Sequence, residues 1–212
     1  MAIIGISGRM GTRVYEYFKK DYDIVGVDYI NFKEAPTYKS LKDIPLPLDV
    51  VVDFSSVKAE PELRYALKRG LLTLSGTTGY PDDVIDELKK QGQDLFYWSA
   101  NYSKGIHLFS RLIELIQKEY DLFDFIEIHA ATKKDAPSGT AKMLARDLNI
   151  PYDRIQSLRI NYAPPIHELI FSSRYEHIII RHEVIDTLAF LEGFDAKLKE
   201  MIGRSKNDKE AL

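Results

Sequence analysis

The chain has 212 residues, 45% hydrophobic and 29% charged, a globular composition that excludes a disordered chain. Lys and Arg number 29 against 32 Asp and Glu, a net charge of -3, so the positive excess of a nucleic-acid-binding module is missing. Cysteine is absent, which excludes disulfide scaffolds, thiolate zinc sites, iron–sulfur clusters and cysteine nucleophiles together. No apolar run reaches the ~18 residues that span a bilayer, and Met1-Ala2-Ile3-Ile4-Gly5 leaves no room for a signal peptide. A cytoplasmic protein is expected, with no membrane partner, no nucleic-acid partner and no metal.

Short apolar runs alternate with amphipathic stretches through Ser99. Ala2 to Ser7 reads as a strand, Thr12 to Lys20 as a helix, and Ile24 to Asp28 as a strand. Leu48 to Phe54 is a continuous apolar run, the pattern of a strand buried on both faces of a parallel sheet. Lys58 to Lys68 is a helix with Pro61 near its start and Gly70 past its end. Leu71 to Ser75 is a strand, Asp82 to Gln91 a helix and Leu95 to Ser99 a strand. This alternation predicts an α/β fold, a doubly wound Rossmann-type parallel sheet with right-handed crossovers. The pattern changes after Asn101. A long helix from Gly105 to Tyr120, a strand from Phe123 to His129 and a helix from Thr140 to Leu148 come first. Three strands then follow directly, Ile155–Tyr162, His167–Phe171 and Glu176–His182, and predict an antiparallel or mixed sheet in a second, smaller α+β domain. Asp186 to Ile202 reads as a final helix and Ser205 to Leu212 as a frayed tail.

The first chemical signal is Gly5-Ile6-Ser7-Gly8-Arg9-Met10-Gly11, between the first strand and the first helix. Glycines there let the backbone approach a pyrophosphate, and the helix N-terminus offers N–H donors. Asp28 closes the next strand 20 residues past Gly8, where a carboxylate accepts hydrogen bonds from the adenine ribose hydroxyls. It is followed by Tyr29 and not Arg, which favours NADH over NADPH. Asp53-Phe54-Ser55-Ser56 and Gly76-Thr77-Thr78-Gly79 also follow strands, at the carboxyl ends of the sheet where ligands bind.

The second signal runs from His129 to Thr140. His129 ends a strand and Lys133 lies four residues on. Ser138 suits an N-cap, leaving the Gly139 and Thr140 amides to meet a carboxylate. Lys133 adds a full charge, and a histidine with a pKa near ~6.5 suits proton donation. Such a segment can bind a carboxylated small molecule and protonate it; the alternative, on these residues alone, is a structural histidine beside a solvated Lys-Lys-Asp loop capped by a helix.

These motifs resemble the 4-hydroxy-tetrahydrodipicolinate reductase (dihydrodipicolinate reductase) family of the diaminopimelate–lysine pathway. Gly8-Arg9-Met10-Gly11, Asp53-Phe54-Ser55, Gly76-Thr77-Thr78-Gly79 and Asn101-Tyr102-Ser103-Lys104-Gly105 fall in the family's order. The string from His129 through Lys133 and Asp135-Ala136-Pro137-Ser138-Gly139-Thr140-Ala141 is highly specific. The resemblance implies hydride transfer from NADH or NADPH to a cyclic dicarboxylate, with His129 as general acid and Lys133 as the residue stabilising charge. Ser138, Gly139 and Thr140, with Lys133, are implied as substrate contacts. Gly5, Ser7, Gly8, Arg9, Met10, Asp28, Phe54, Ser55, Gly76, Thr77, Thr78, Ala100, Asn101 and Tyr102 are implied as cofactor contacts. It further implies a dinucleotide domain, 1–101 plus 184–212, and a substrate and oligomerisation domain, 102–183, whose sheet forms a homotetramer.

The chain departs from the family in two places. The family's second histidine is Ala130, and the substrate domain is short, with few residues between Leu148 and Leu158. His167 reads on its spacing as a strand residue. His177 and His182 fall on opposite faces of one strand and make no metal pair. The alternatives are an amino-acid or semialdehyde dehydrogenase, against which the Pro-Ser-Gly-Thr string argues, and a non-catalytic NAD-binding sensor, which would need neither His129 nor Lys133.

Overall fold

A computed structural model describes residues 1–45 and 47–210, for Leu122 and residues 205–210 in their backbone alone. The chain divides into two compact units, one made of Met1–Ser99 and the chain from Asp195 onward, the other of Ala100–Phe194.

The first unit is a six-stranded parallel sheet in the order β3-β2-β1-β4-β5-β6. Its strands are β1 (Ala2–Ile4), β2 (Val25–Val27), β3 (Thr37–Tyr38), β4 (Val50–Asp53), β5 (Leu72–Ser75) and β6 (Phe96–Trp98). Helices α1 (Arg9–Phe18), α2 (Glu60–Lys68) and α3 (Asp82–Gly92) are the crossovers. Ala2, Ile3, Val51, Val52 and Leu74 are sealed from solvent, as a sheet covered on both faces requires. β3 is the element that the sequence reading lacks. It is two residues long and half-buried, too short for any periodicity to register.

The second unit holds a four-stranded mixed sheet, ordered β10-β9-β7-β8. Its strands are β7 (Leu122–Ala130), β8 (Ile155–Ile160), β9 (Ile166–Ser172) and β10 (His177–Glu183). β8 runs parallel to β7 because α5 (Gly139–Asp147) carries the chain back between them; β9 and β10 are antiparallel. Helix α4 (Lys104–Ile116) lays Ile106, Phe109 and Ile113 into the core with Phe125, Leu144, Leu169 and Phe171. Residues two apart on a strand share a face. Register therefore stacks rows across the covered face: Phe125 beside Ile155 and Leu169, then Glu127 beside Ser157 and His167, with His182 beyond. The first of these rows is apolar core and the second is polar.

The last helix, α6, spans Leu188–Glu210. It corrects the expected frayed tail, since Ser205 to Glu210 continue the helix; the final two residues lie outside the described chain. Leu191, Phe194, Leu198 and Met201 are buried at helical spacing and fix the start. Extending a nucleated helix through Arg, Lys and Glu is cheap, and Arg204 pairs with Glu200 one turn back at 2.6 Å. Among the described residues no helix is long and apolar enough to cross a membrane.

The turn after β1 depends on two glycines. Gly5 adopts φ +80°, a region that side chains other than glycine rarely enter. A Cβ on Gly11 would stand 2.0 Å from the Gly5 carbonyl oxygen, a backbone atom that cannot move aside. Gly11→Ala should therefore cost about 1–3 kcal/mol of stability, read as a lower urea midpoint, and a midpoint equal to wild type would refute the packing argument.

Candidate active site

In the first unit a cavity of about 470 Å³ opens at the carboxyl ends of β1, β2 and β4, lined by Gly5, Ser7, Gly8, Asp28, Lys39, Phe54 and Ser55 among others. Ser7 donates to Asp28 Oδ2 through its amide at 3.1 Å and its hydroxyl at 2.6 Å. The Ile30 amide donates to Oδ1 at 3.1 Å. Burial raises the Asp28 carboxyl, but the bonds from Ser7, Ile30 and Tyr29 outweigh it and hold the group below its ordinary range. Lys39 enters the same cavity from just beyond β3, its ammonium donating to the Tyr29 carbonyl. Sequence reasoning missed Lys39 because it missed the strand that delivers it. Arg9 is exposed at the first position of α1, beside half-buried Met10.

The Gly-Thr-Thr-Gly turn is tied into its own unit. A Cβ on Gly76 would strike the Phe54 ring at 2.1 Å, so this glycine makes room for Phe54. The Thr77 hydroxyl accepts from the Ser55 amide at 2.9 Å, and its carbonyl from Trp98 Nε1 at 2.8 Å. Thr78 is exposed. Beneath the turn, Asp53 is fully buried and accepts from the Ser55 and Ser75 hydroxyls. Burial pushes its carboxyl up, against those hydrogen bonds.

In the second unit β7 delivers His129 and Glu127, both buried, on one face. His129 Nδ1 is hydrogen-bonded to Glu127 Oε2. Glu127 Oε1 accepts from Arg159 Nη2 at 2.8 Å and from the Ser138 amide at 3.3 Å. Burial raises the Glu127 carboxyl, but hydrogen bonds from His129 and Arg159 overcome it and hold it at about 2. Ser138 caps α5 as expected, its hydroxyl accepting from the Ala141 amide at 3.2 Å. Gly139 and Thr140 then occupy the first turn, where amides have no intrahelical acceptor. Asn101 donates to the Thr140 hydroxyl at 3.2 Å and accepts from the Ser103 amide at 2.9 Å. Lys133 lies in the loop after β7, its ammonium 2.8 Å from Asp135 Oδ1. This pair is half-exposed and therefore contributes little. The Tyr102 ring packs edge-on against Phe190 and Phe194, at 5.5 and 4.9 Å between centroids, and Ala100 lies half-buried two residues before it.

His167 is a strand residue, as its spacing predicts, but it does more than pack. Its ring stands 5.6 Å from His129 and 6.1 Å from His182, and both its nitrogens are buried without a partner among the described residues. His177 is exposed and bonded to the Ser172 hydroxyl, on the opposite face from His182. Among the described residues no three His, Asp or Glu side chains are placed to hold a metal ion.

Burial, then the charges of His129 and His182, push His167 down to about 3 from the usual 6.5. The unfolded chain binds a proton there below 6.5 and the folded chain does not until about 3, so stability falls as pH drops through that window. The slope has a ceiling of about 1.4 kcal/mol per pH unit, and Glu127, at 4.5 unfolded and about 2 folded, adds its own slope only as pH approaches 4.5. His167→Leu should flatten the fall in urea midpoint between pH 6.5 and 5; burial lowers His182 too, so some slope remains. An unchanged slope would contradict this assignment.

The comparisons with known proteins cover both units. The family model "Dihydrodipicolinate reductase, N-terminus" matches residues 1–102, and "Dihydrodipicolinate reductase, C-terminus" matches 105–209. The 4-hydroxy-tetrahydrodipicolinate reductase of Rickettsia peacockii is 32% identical over 214 residues, 91% of this chain and 89% of that one. The enzyme of the same name from Caldanaerobacter subterraneus is 30% identical over 233 residues, 96% and 93% of the two chains. In fold, the chain is similar to a dipicolinate-bound dihydrodipicolinate reductase from Paenisporosarcina sp. TG-14, with a TM-score of 0.77 at 19% identity over 94% of this chain and 93% of that one. An aspartate dehydrogenase from Thermotoga maritima also shares the fold, at a TM-score of 0.61 and 12% identity over 94% and 95% of the two chains. With both halves matched and relatives aligned almost end to end, this chain belongs to the dihydrodipicolinate reductase family.

Proposed function

We propose that this chain reduces 4-hydroxy-tetrahydrodipicolinate to tetrahydrodipicolinate with NADH or NADPH, a step of diaminopimelate and lysine biosynthesis carried out in the cytoplasm. The observation that carries the reading is His129, buried at the end of β7 and bonded to a carboxylate, with Lys133 and the capped start of α5 in the same loop.

The first loop fits a dinucleotide: Gly5 and Gly11 keep its backbone clear of side chains, and the cavity beside it is lined by Asp28. Gly5, Ser7, Gly8, Arg9 and Met10 would hold the pyrophosphate, with Asp28 on the adenine ribose. Phe54, Ser55, Gly76, Thr77, Thr78, Ala100, Asn101 and Tyr102 are the contacts proposed further along the cofactor. When bound, NAD(P)H supplies the hydride. His129, as the imidazolium, supplies the proton from its Nε2–H. Lys133 and the Gly139 and Thr140 amides hold a substrate carboxylate, with Ser138 as the cap that aims those amides.

A carboxylate kept ionised at Asp28 repels a 2′-phosphate, whereas the Lys39 ammonium attracts one. Both nucleotides are therefore accepted, with NADH favoured. A homotetramer is built through the second sheet. Its outer face carries Leu158, Ile160 and Ile179, each about half exposed, and a sheet needs both faces covered or polar.

Turnover is measured with substrate made in situ from pyruvate and aspartate semialdehyde by its synthase, following nucleotide absorbance. His129→Gln should lower kcat by about 10²–10⁴ and leave NADH binding intact. No turnover with either nucleotide, or an undiminished kcat in the variant, would overturn the reading. Asp28→Ala should weaken NADH binding more than NADPH binding in fluorescence titrations. Equal losses would remove Asp28 from the ribose site.

A further inference from the structure

The geometry points to Glu127 as the positioning residue for His129, setting its tautomer and supporting its charge while tying it to the substrate-carboxylate site. The inference rests on the reading that His129 is the proton donor.

The groups facing His129 come from every neighbouring element. Glu127 shares its strand. Arg159 lies opposite it on β8. His167 approaches from β9 with His182 behind it on β10. Lys133 and Asp135 follow in the loop. Among the described residues Glu127 is the group bonded to the ring, at Nδ1. A carboxylate only accepts, so Nδ1 carries the hydrogen. In the neutral ring this leaves Nε2 bare, and in the imidazolium it leaves Nε2–H free to donate.

The charge balance works the same way. Arg159 alone would disfavour a second cation beside it. Glu127 lies between the two, with one oxygen on Arg159 and the other on His129, so the imidazolium forms next to a neutralised guanidinium. His167 does not compete, because burial and its histidine neighbours keep it uncharged at neutral pH.

The oxygen that accepts from Arg159 also accepts from the Ser138 amide, at the residue that caps α5. Arg159 in turn donates to the Asp135 carbonyl, within the loop that carries Lys133. One buried carboxylate thus holds the proton donor, the cap and the loop in a single register. Sequence reasoning passed over Glu127, although its position two residues before His129 places both side chains on one face of the strand.

Three measurements decide it. In wild type, nitrogen-15 spectra of the histidine rings should show neutral His129 protonated at Nδ1; an Nε2-protonated ring overturns the inference without any variant. Glu127→Gln should lower kcat about 10²-fold at about pH 7.5, more than it raises KM. Its loss should shrink at about pH 6, because the basic limb of the kcat/KM profile moves to lower pH. Glu127→Asp keeps the charge and should return that limb most of the way, which a role in packing alone would not do. NADH affinity should hold in both. His129→Gln serves as the reference. If it retains kcat, the donor reading falls and this inference with it. If it abolishes turnover while Glu127→Gln leaves kcat and the pH limb unmoved, Glu127 alone is excluded.

Discussion

A carboxylate taken out of water must be paired, and the second unit is organised around one that is. Glu127 is fully buried, and leaving it uncompensated would cost several kcal/mol. Its partners come from three places. His129 is two residues along the same strand, Arg159 comes from β8, and the Ser138 amide lies at the cap of α5. The parallel register of β7 and β8 sets Ser157 opposite Glu127 and Arg159 opposite His129, so the sheet itself delivers the compensating charge. A slip of one residue would turn Arg159 to the other face and leave the carboxylate alone.

The same register explains why the polar groups sit where they do. On the covered face the row through Phe125, Ile155 and Leu169 is core, and the next row toward the end of β7 is Glu127, Ser157, His167 and His182. The core keeps the dielectric low and the polar row borrows that low dielectric, strengthening each pairing and penalising each unpaired atom. His167 feels the penalty and stays neutral; Glu127 gains the strengthening and stays ionised. In the first unit β4 follows the same plan, three buried valines ending in Asp53 under the turn that precedes α2.

What the sequence made legible were the elements whose period or chemistry is long enough to stand out. The glycine loop, the apolar β4 and β5, the cap at Ser138 and the lysine loop after His129 are where their residue types put them. β3 was not, because two residues carry no period, and Lys39 was lost with it. The spatial order of the second sheet is also hidden, since strands that follow one another in sequence need not be neighbours in space. The end of α6 is not legible, because a polar stretch reads as disorder, whereas a helix already anchored by Leu191, Phe194, Leu198 and Met201 extends through polar residues at little cost.

Motif strings also mix contacts to a ligand with contacts that hold the strings themselves in place, and one residue can make both. Gly76 gives way to the Phe54 ring, Thr77 joins the Ser55 amide to Trp98, and the Tyr102 ring packs against Phe190 and Phe194. Asn101 fixes the hydroxyl of Thr140. The departure at Ala130 fits the same distinction. It follows His129 directly, so its side chain leaves β7 on the outer face, opposite Ile160, while Glu127, His129 and Arg159 occupy the inner one. Replacing a histidine there changes what the strand end offers on its outer side and leaves every contact that holds His129 in place. The arrangement proposed to donate a proton is thus separable, strand face by strand face, from whatever a second histidine adds.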